Sequence, residues 1–448
     1  MHDLWADVDQ EYSQVAARAG ARARSARQGD LLTSLRLWLQ EEYLARYCRA
    51  LQQNPLYRRC YWIDALGGEP PREEQAAVRR EAGGEESASP RERPTGKRRA
   101  QSQPQHPWLQ ALSSLSARLA SEGRSFALYG LLLTGAEGGR NPTRSSAAGL
   151  SSSPGSHGRQ LVIPRESGPI AASWPEAATA ILQALDQAPA VFALNPLAPV
   201  PFRYEDLEPL LLRAAPTELC LLIMHRQLES RLRAARRHEQ QAAVLLSLLR
   251  SDRWRALVPR DEAAPLSPEA LAELLDLLLS QIQRHFPLAQ RIALPRASGP
   301  AHIEAAPYTL LFATRRQDSL LVMNDAVCTY WRRLEEQSQA NLLGSAWFQA
   351  RREERRAAAR EQLYQRTLQT GRALRSRRWP DLRQQLISST FGQFTQAEHD
   401  AIIQRLLREG QVRCEWRRAR PAQAPGQSDE PAEPVPGPDD LLIWPATR

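Results

Sequence analysis

The chain has 448 residues, of which 42% are hydrophobic and 24% are charged. This composition is typical of globular protein, and the length allows two or three domains with a large core. Lys and Arg number 59 against 50 Asp and Glu, a formal net charge of +9 that modestly favours polyanionic partners. Only one of the basic residues is Lys, a bias that genome composition can also produce. The charge alone therefore does not establish nucleic-acid binding.

The cysteines and the N-terminal stretch restrict the possible environments. The five Cys residues are far apart and form no CxxC pair, so neither a zinc site nor a redox motif is indicated, and no metal is predicted. The N-terminal stretch is polar and contains no apolar run long enough for a signal peptide or a membrane span. We therefore expect a reducing, cytoplasmic compartment and no membrane partner.

The first strand is followed by a glycine-containing loop. Apolar residues at helical spacing predict a helix over Leu31–Gln52, and aromatic and β-branched residues predict a strand over Arg59–Asp64. Glycines after such a strand let the backbone pass close to a cofactor, because no Cβ intrudes. Asp64, Gly67 and Gly68 are therefore candidate cofactor-binding residues, and a plain turn is the alternative.

Two segments interrupt the next elements. Glu69–His106 contains almost no apolar residues, and Gly138–Arg159 is rich in Gly and Ser, so both are predicted to be disordered insertions. The elements predicted around them are a helix over Pro107–Glu122, strands over Phe126–Leu133 and Gln160–Ile163, and a helix over Pro175–Leu185.

The stretch from Ala190 to His225 predicts a crossover unit of a doubly wound sheet. Its order is a buried strand over Val191–Leu194, a loop, a helix over Tyr204–Arg213 and a second buried strand over Glu218–Met224. Ligands of such sheets bind at the carboxyl ends of the strands, where Asn195 and Pro196 fall. These two residues are the candidate catalytic residues, and a proline-stiffened turn is the alternative.

The following region predicts two helices and a final pair of strands. Arg226–Arg250 indicates one cationic amphipathic helix, whose arginines face either a nucleic-acid backbone or solvent. Ser267 and Pro268 predict the start of a helix that runs to about Phe286. Gln290–Leu294 and Tyr308–Thr314 are expected to be the last, antiparallel strands of the sheet.

The C-terminal third changes character. Trp331–Arg378 predicts a long helical connector, and Trp379–Arg418 has the spacing of a winged helix-turn-helix, including a capping box at Thr395 and Glu398. Arg413, Arg417 and Arg418 in its predicted wing are candidate nucleic-acid-binding residues, with protein docking as the alternative. The predicted organisation is an α/β domain over 1–333 with insertions at about 69–106 and 138–159, a connector over 334–378, a winged-helix-like domain over 379–420, and a mostly disordered tail over 421–448 that contains the apolar motif Leu441–Trp444.

The stretch Pro307–Val327 resembles a known family. It reads PYTLLFATRRQDSLLVMNDAV, and the residues that match are Tyr308, Phe312, Ala313, Thr314, Arg315, Met323 and Ala326. On these residues the chain resembles the three-Cys-motif partner proteins (TcmP) of bacteria. The resemblance implies a Rossmann-like sheet of the S-adenosylmethionine (SAM) methyltransferase type, SAM as cofactor, and a neighbour-encoded protein bearing three cysteines as partner.

The sequence departs from that family at three places. Ala65 and Pro70 replace glycines of the first loop, the first acid after the second strand is Glu137, several residues late, and Leu197 stands where an aromatic residue would stack on a base. These departures argue against SAM binding. They favour a degenerate methyltransferase-like domain acting with its three-Cys-motif partner in a nucleic-acid-related process. The alternatives are an active methyltransferase on an amino group of nucleic acid or protein, and a non-enzymatic adaptor.

Overall fold

The computed structural model describes residues 31–67, 106–123, 125–135, 163–164, 166–259, 261, 264–299, 302–339, 345–417 and 434–445. Gly68, Arg418 and the two predicted insertions, apart from His106, lie outside these ranges. The chain divides into two compact units, Met1–Leu210 and Leu211–Arg448.

The first unit alternates strands with helices. Its first helix, α1, covers residues 31–52 and includes the π-helical segment Leu39–Leu44. The remaining elements are β1 (Arg59–Ala65), α2 (Pro107–Glu122), β2 (Ala127–Leu133), β3 (Gly168–Ile170), α3 (Trp174–Leu185), β4 (Ala190–Leu194) and α4 (Tyr204–Leu211), the last of which reaches the unit boundary.

The second unit begins with β5 and ends with a small sheet. Its elements are β5 (Thr217–Met224), α5 (His225–Arg237), α6 (Glu239–Leu249), α7 (Trp254–Leu257), α8 (Pro268–Gln283), β6 (Leu288–Ala293), β7 (Arg296–Gly299), β8 (His302–Glu304), β9 (Tyr308–Thr314), α9 (Gln317–Gln339), α10 (Ser345–Leu374), β10 (Ser376–Arg378), α11 (Trp379–Ser389), α12 (Gln396–Arg408), β11 (Arg413–Glu415) and β12 (Leu441–Ile443). No helix in the described part of the chain is long and apolar enough to cross a membrane.

Seven strands form one mostly parallel sheet in the order β3-β2-β1-β4-β5-β9-β6. β1 pairs in parallel with β2 and with β4, whereas β9 is antiparallel to both β5 and β6. Every residue of β4, β5 and β9 is buried, which explains why these strands are nearly uninterrupted apolar runs. The α/β class, the Rossmann-like arrangement and the antiparallel final pair are confirmed.

Two predicted elements differ from the structure. The third described strand is Gly168–Ile170; Ile163, the last residue of the predicted strand Gln160–Ile163, is in no strand, and residues 160–162 lie outside the described residues. Three residues are too few to show a periodicity that a sequence can reveal. The single helix over Arg226–Arg250 is two helices, because His238 is extended at φ −130° and ψ 117°. The break lets α5 and α6 pack on each other, so that the apolar face of each is buried.

The C-terminal elements of the second unit form a small module around their own core. β12 is the central strand of the three-stranded sheet β10-β12-β11, so the apolar motif at Leu441 pairs with strands on both sides. Trp444 packs on the backbone of Gly371 in α10, where a Cβ would lie 2.2 Å from the indole ring. The predicted capping box is present, since Thr395 accepts from the Glu398 N–H and Glu398 accepts from the Thr395 N–H. The assignment of this module as a winged helix stays a prediction.

A buried carboxyl group joins β5 to the start of α9. Glu218 is fully buried, and its Oε1 accepts a hydrogen bond of 3.0 Å from the Ser319 hydroxyl. Burial raises the pKa of Glu218 to about 8, more than the bonds from Thr314 and Ser319 lower it. The folded protein therefore keeps this group protonated at pH values where the unfolded chain has lost the proton.

This difference predicts a pH-dependent stability. The stabilisation is fully present below about pH 4.5, the ordinary pKa of Glu, and is lost as the pH rises towards about 8, at no more than about 1.4 kcal/mol per pH unit. Glu218→Gln keeps the shape of the side chain and carries no charge, so we expect its stability to lack this slope. Compared with the wild type, the variant should therefore gain stability between pH 5 and pH 8. Urea unfolding of both proteins at pH 5, 6.5 and 8 measures the effect. Parallel pH profiles would contradict it.

Candidate functional site

The candidate site lies in the first unit, where the strand order changes direction. β1 has β2 on one side and β4 on the other, so the loops after β1 and β4 leave the same edge of the sheet. The Asn195 N–H donates to the Ala65 carbonyl over 3.2 Å, which fixes the two loops against each other. This edge is the usual ligand position in doubly wound sheets. The structure thus brings Asp64 and Asn195 to the same edge.

The Asp64 carboxylate is occupied by an arginine that the sequence analysis did not select. Arg36 in α1 donates from Nε to Asp64 Oδ2 over 2.7 Å and from Nη2 to Oδ1 over 2.9 Å. The same Nη2 also donates to the Gly67 carbonyl over 2.9 Å, and Leu66 N–H donates to Asp64 Oδ1 over 3.1 Å. Asp64 is 0% exposed and Arg36 is 6% exposed. The pair ties the loop after β1 to the helix that precedes it.

A signal for Arg36 exists in the sequence. Leu32, Leu35 and Leu39 lie on the buried side of α1, and Arg36 falls among them at helical spacing. A charged side chain on an apolar helix face must find a partner when it is buried. The pattern indicates that Arg36 is paired, but it does not identify Asp64 as the partner.

Two glycines leave open space at this edge. Gly67 follows β1 with φ +78°, and Gly135 follows β2 with φ +73°. Both conformations favour glycine, because a side chain would strain the backbone there. A Cβ built on either residue would meet no described atom within 4 Å. The backbone of both loops is therefore accessible on that side within the described part of the chain.

The loop after β4 is fixed by its own hydrogen bonds. Asn195 is 2% exposed, and its Oδ1 accepts from the Leu197 N–H over 3.1 Å, which closes a local turn. The Pro196 carbonyl accepts from the Phe202 N–H over 3.0 Å. Leu197 is buried in the core at 3% exposure. For Asn195 Oδ1 to accept from an amine substrate, the turn would have to share or release this oxygen.

The described end of β2 carries no acid. Thr134 and Gly135 follow the strand, and the Thr134 N–H donates to the Ile170 carbonyl over 3.0 Å. Glu137, the first acid in the sequence, lies outside the described residues. A carboxylate that binds ribose hydroxyls is therefore not provided by residues 127–135.

The residues that carry the family resemblance lie in the second unit. β9 runs antiparallel to β5, so Thr314 and Arg315 come at the end of the sheet where β5 begins. Arg315 donates to the carbonyls of Leu211, Arg213 and His285, the latter two over 2.9 Å, and its guanidinium lies 4.1 Å from the Phe286 ring centroid. Arg315 thus bonds the carbonyls left open where α4 and α8 end. Its contacts are structural.

Other residues of the same stretch bind the C-terminal module within the second unit. Asn324 is fully buried, donates from Nδ2 to the Phe394 carbonyl over 2.8 Å and accepts from the Gly392 N–H over 2.9 Å. Asp325 Oδ1 accepts from the Gln396 N–H over 2.8 Å. The stretch Pro307–Val327 therefore holds the turn between α11 and α12 in place.

Two of the predicted wing residues are exposed, and the third, Arg418, lies outside the described residues. Arg413 is exposed on β11, two residues before the exposed Glu415. Arg417 is also exposed, and its backbone N–H donates to Asp440 Oδ1 over 2.8 Å. The acids in and directly after α12 that would repel a duplex are each engaged with an arginine: Glu398 with Arg332, Asp400 with Arg383, and the C-cap residue Glu409 with Arg405.

The Arg36–Asp64 pair gives a direct test of what organises this edge. We expect Arg36→Met to lower the free energy of unfolding by about 3–5 kcal/mol, because it leaves the buried Asp64 charge without its partner. Changing both residues, Arg36→Met with Asp64→Leu, should recover much of that loss. Arg49→Met is the control, since the Arg49–Glu122 pair is exposed and should contribute less than about 1 kcal/mol. Equal effects of the two single variants in urea unfolding would contradict the assignment.

Among the described residues, no group of three or more His, Cys, Asp or Glu side chains is placed to hold a metal ion. Neither a protein-family model nor a curated protein nor a solved structure matches this chain. The interpretation of the candidate site therefore depends on its own geometry.

Proposed function

We propose that this chain is a TcmP-like protein whose methyltransferase-like domain is degenerate and serves as a scaffold, acting with a three-Cys-motif protein in a nucleic-acid-related process. The Rossmann-like sheet supports the methyltransferase-type part of the proposal, because its order turns at β1 and β4 and an antiparallel strand lies between β5 and β6. The resemblance at Pro307–Val327 supports the family part.

The observation that carries the scaffold proposal is the closed network around Asp64. The guanidinium of Arg36 engages both Asp64 oxygens and also the Gly67 carbonyl. A carboxylate and a loop committed to an internal arginine are not available to a cofactor unless a buried ion pair is broken. Breaking such a pair costs about 3–5 kcal/mol, a large share of the binding energy of a cofactor held at micromolar affinity.

One observation favours an active methyltransferase as the second candidate. Gly67 and Gly135 both keep positive φ, and the space beside each is open to the described atoms. Asn195 lies at the same edge, and its side-chain oxygen is an acceptor suited to an amine substrate. In this reading Asn195 and Pro196 would position the group to be methylated, and the product would be a methylated amine.

The C-terminal module supports the nucleic-acid part of the proposal. Its elements follow the order helix, strand, two helices and two strands, and β12 lies between β10 and β11, as expected for a winged-helix-turn-helix. The exposed Arg413 and Arg417 lie at and just beyond β11. Phosphate contacts supply most of the non-specific affinity of such domains. The pairing of three acids in and directly after α12 with arginines offsets charges that would oppose a duplex.

SAM affinity separates the scaffold from the enzyme. We expect little or no SAM binding, weaker than the tens of micromolar, since the loop after β1 is bound to Arg36 and residues 127–135 supply no carboxylate. Isothermal titration calorimetry measures this directly. A dissociation constant at or below the tens of micromolar, about −6 kcal/mol or better, would make the scaffold proposal wrong. Asp64→Ala, checked for folding, should then abolish that binding if the loop after β1 is the site.

The wing predicts weak, salt-sensitive and sequence-tolerant binding of nucleic acid. We expect the triple variant Arg413→Ala, Arg417→Ala, Arg418→Ala to lose it, because the variant removes three phosphate-binding charges. Labelled duplex DNA is titrated at low and at moderate salt. The control is Arg58→Ala, Arg59→Ala, Arg118→Ala, which removes the same charge from the first unit. If the wing variant and the wild type bind equally, or neither binds, the module docks protein instead.

A further inference from the structure

A groove of about 470 Å³ lies in the second unit between α9, α10 and the turn that joins α11 to α12. Its walls carry an unusual density of positive charge, and we call it the arginine groove after Arg332, Arg352, Arg355, Arg356 and Arg360. Only two acids, Glu335 and Glu398, share this lining. None of these arginines was among the candidate residues chosen from the sequence.

The arginines of the groove are not equivalent. Arg332 binds Glu398 at 2.6 Å, Arg352 binds Glu336 at 3.1 Å, and Arg360 binds Glu353. In contrast, no carboxylate in the described part of the chain pairs with the guanidinium of Arg355 or of Arg356. Arg355 is exposed and Arg356 is half-buried, and both line the groove. Two guanidinium groups are therefore available to an anion.

The groove also presents aromatic surface. Trp331 is 37% exposed, which is high for an indole, and it lies in the groove wall together with the half-buried Phe391. Unpaired bases stack on exposed aromatic side chains, and arginine guanidinium groups bind phosphates in a bidentate way. The combination of free arginines with an exposed tryptophan matches both parts of a nucleotide.

The wall opposite α10 is held rigidly. The turn between α11 and α12 is bonded to α9 through Asn324, which contacts Gly392 and Phe394, and through Asp325, which contacts the Gln396 N–H. Arg332 adds a bond from α9 to Glu398 in α12. A groove with a fixed wall loses less conformational entropy when a ligand binds.

We propose that the arginine groove binds single-stranded nucleic acid, with Arg355 and Arg356 on the phosphates and Trp331 stacked on a base. A duplex cannot offer an unpaired base to Trp331, and an acidic peptide would engage the arginines but offers no base to stack on the indole. The proposal extends the proposed function by naming a second nucleic-acid surface. It depends neither on SAM binding nor on the wing.

The test titrates the full chain with fluorescein-labelled oligothymidylate and oligouridylate of about 12 nucleotides. Arg355→Ala with Arg356→Ala should weaken binding by about tenfold or more and lower the slope of log affinity against log salt by about 1.4, at about 0.7 for each phosphate contact. Trp331→Ala should weaken binding by about 5- to 100-fold with the salt slope unchanged, and Trp331→Phe should retain most of the affinity. Arg351→Ala with Arg366→Ala is the matched control on α10, because it removes the same charge outside the groove and should leave binding unchanged.

Three outcomes would overturn the proposal. The first is equal affinity of the groove variant and its control. The second is an unchanged affinity of Trp331→Ala together with equal competition by a polyglutamate peptide, which would indicate a general anion surface. The third is that a duplex of the same length binds more tightly than the single strand, and that the groove variant does not weaken this duplex binding. The wing variant, titrated with the same oligonucleotides, keeps the two surfaces distinguishable: a loss seen only there would assign the binding to the wing.

Discussion

A buried polar group must be paired, and this constraint organises both units of the chain. In the first unit, Arg36 satisfies the Asp64 carboxylate and the Gly67 carbonyl, so that one guanidinium closes the loop after β1. In the second unit, the fully buried Asn324 satisfies the Phe394 carbonyl and the Gly392 N–H. Removing the side chain of Arg36 or of Asn324 would leave buried groups without partners, which costs more than the bonds themselves contribute. The local sequence therefore does not identify the partners of these side chains, because it is the fold that brings them together.

Most of the secondary structure could be predicted, because its signals are local. Pro107–Glu122 begins and ends as predicted, since a proline at the first turn and a regular apolar face define it. β9 also has its predicted bounds, Tyr308–Thr314, because a fully buried strand is an uninterrupted apolar run. The elements that were wrong depend on distant contacts. β3 is recognisable only by its pairing with β2, and the break at His238 depends on α5 and α6 folding against each other.

The chemistry of the candidate site was less predictable than its location. A polar residue after a buried parallel strand indicates the ligand edge, and Asp64 and Asn195 do lie there. The sequence does not say whether such a residue faces a ligand or an internal partner. Asp64 contacts Arg36, 28 positions earlier in the chain, and no periodicity encodes that contact. In the same way, Arg315 stands out in the stretch that resembles a known family, yet its bonds are to helix ends.

A stretch of sequence that resembles a family can stabilise the structure rather than form a binding site. The stretch Pro307–Val327 bonds carbonyls near helix ends through Arg315 and holds the module turn through Asn324, so these contacts are structural. Asn324 and Arg332 also fix the wall of the arginine groove, on the same helix that presents Trp331. The chain can therefore keep a Rossmann-like framework while Arg36 closes the loop after β1, because separate sets of contacts stabilise the two regions.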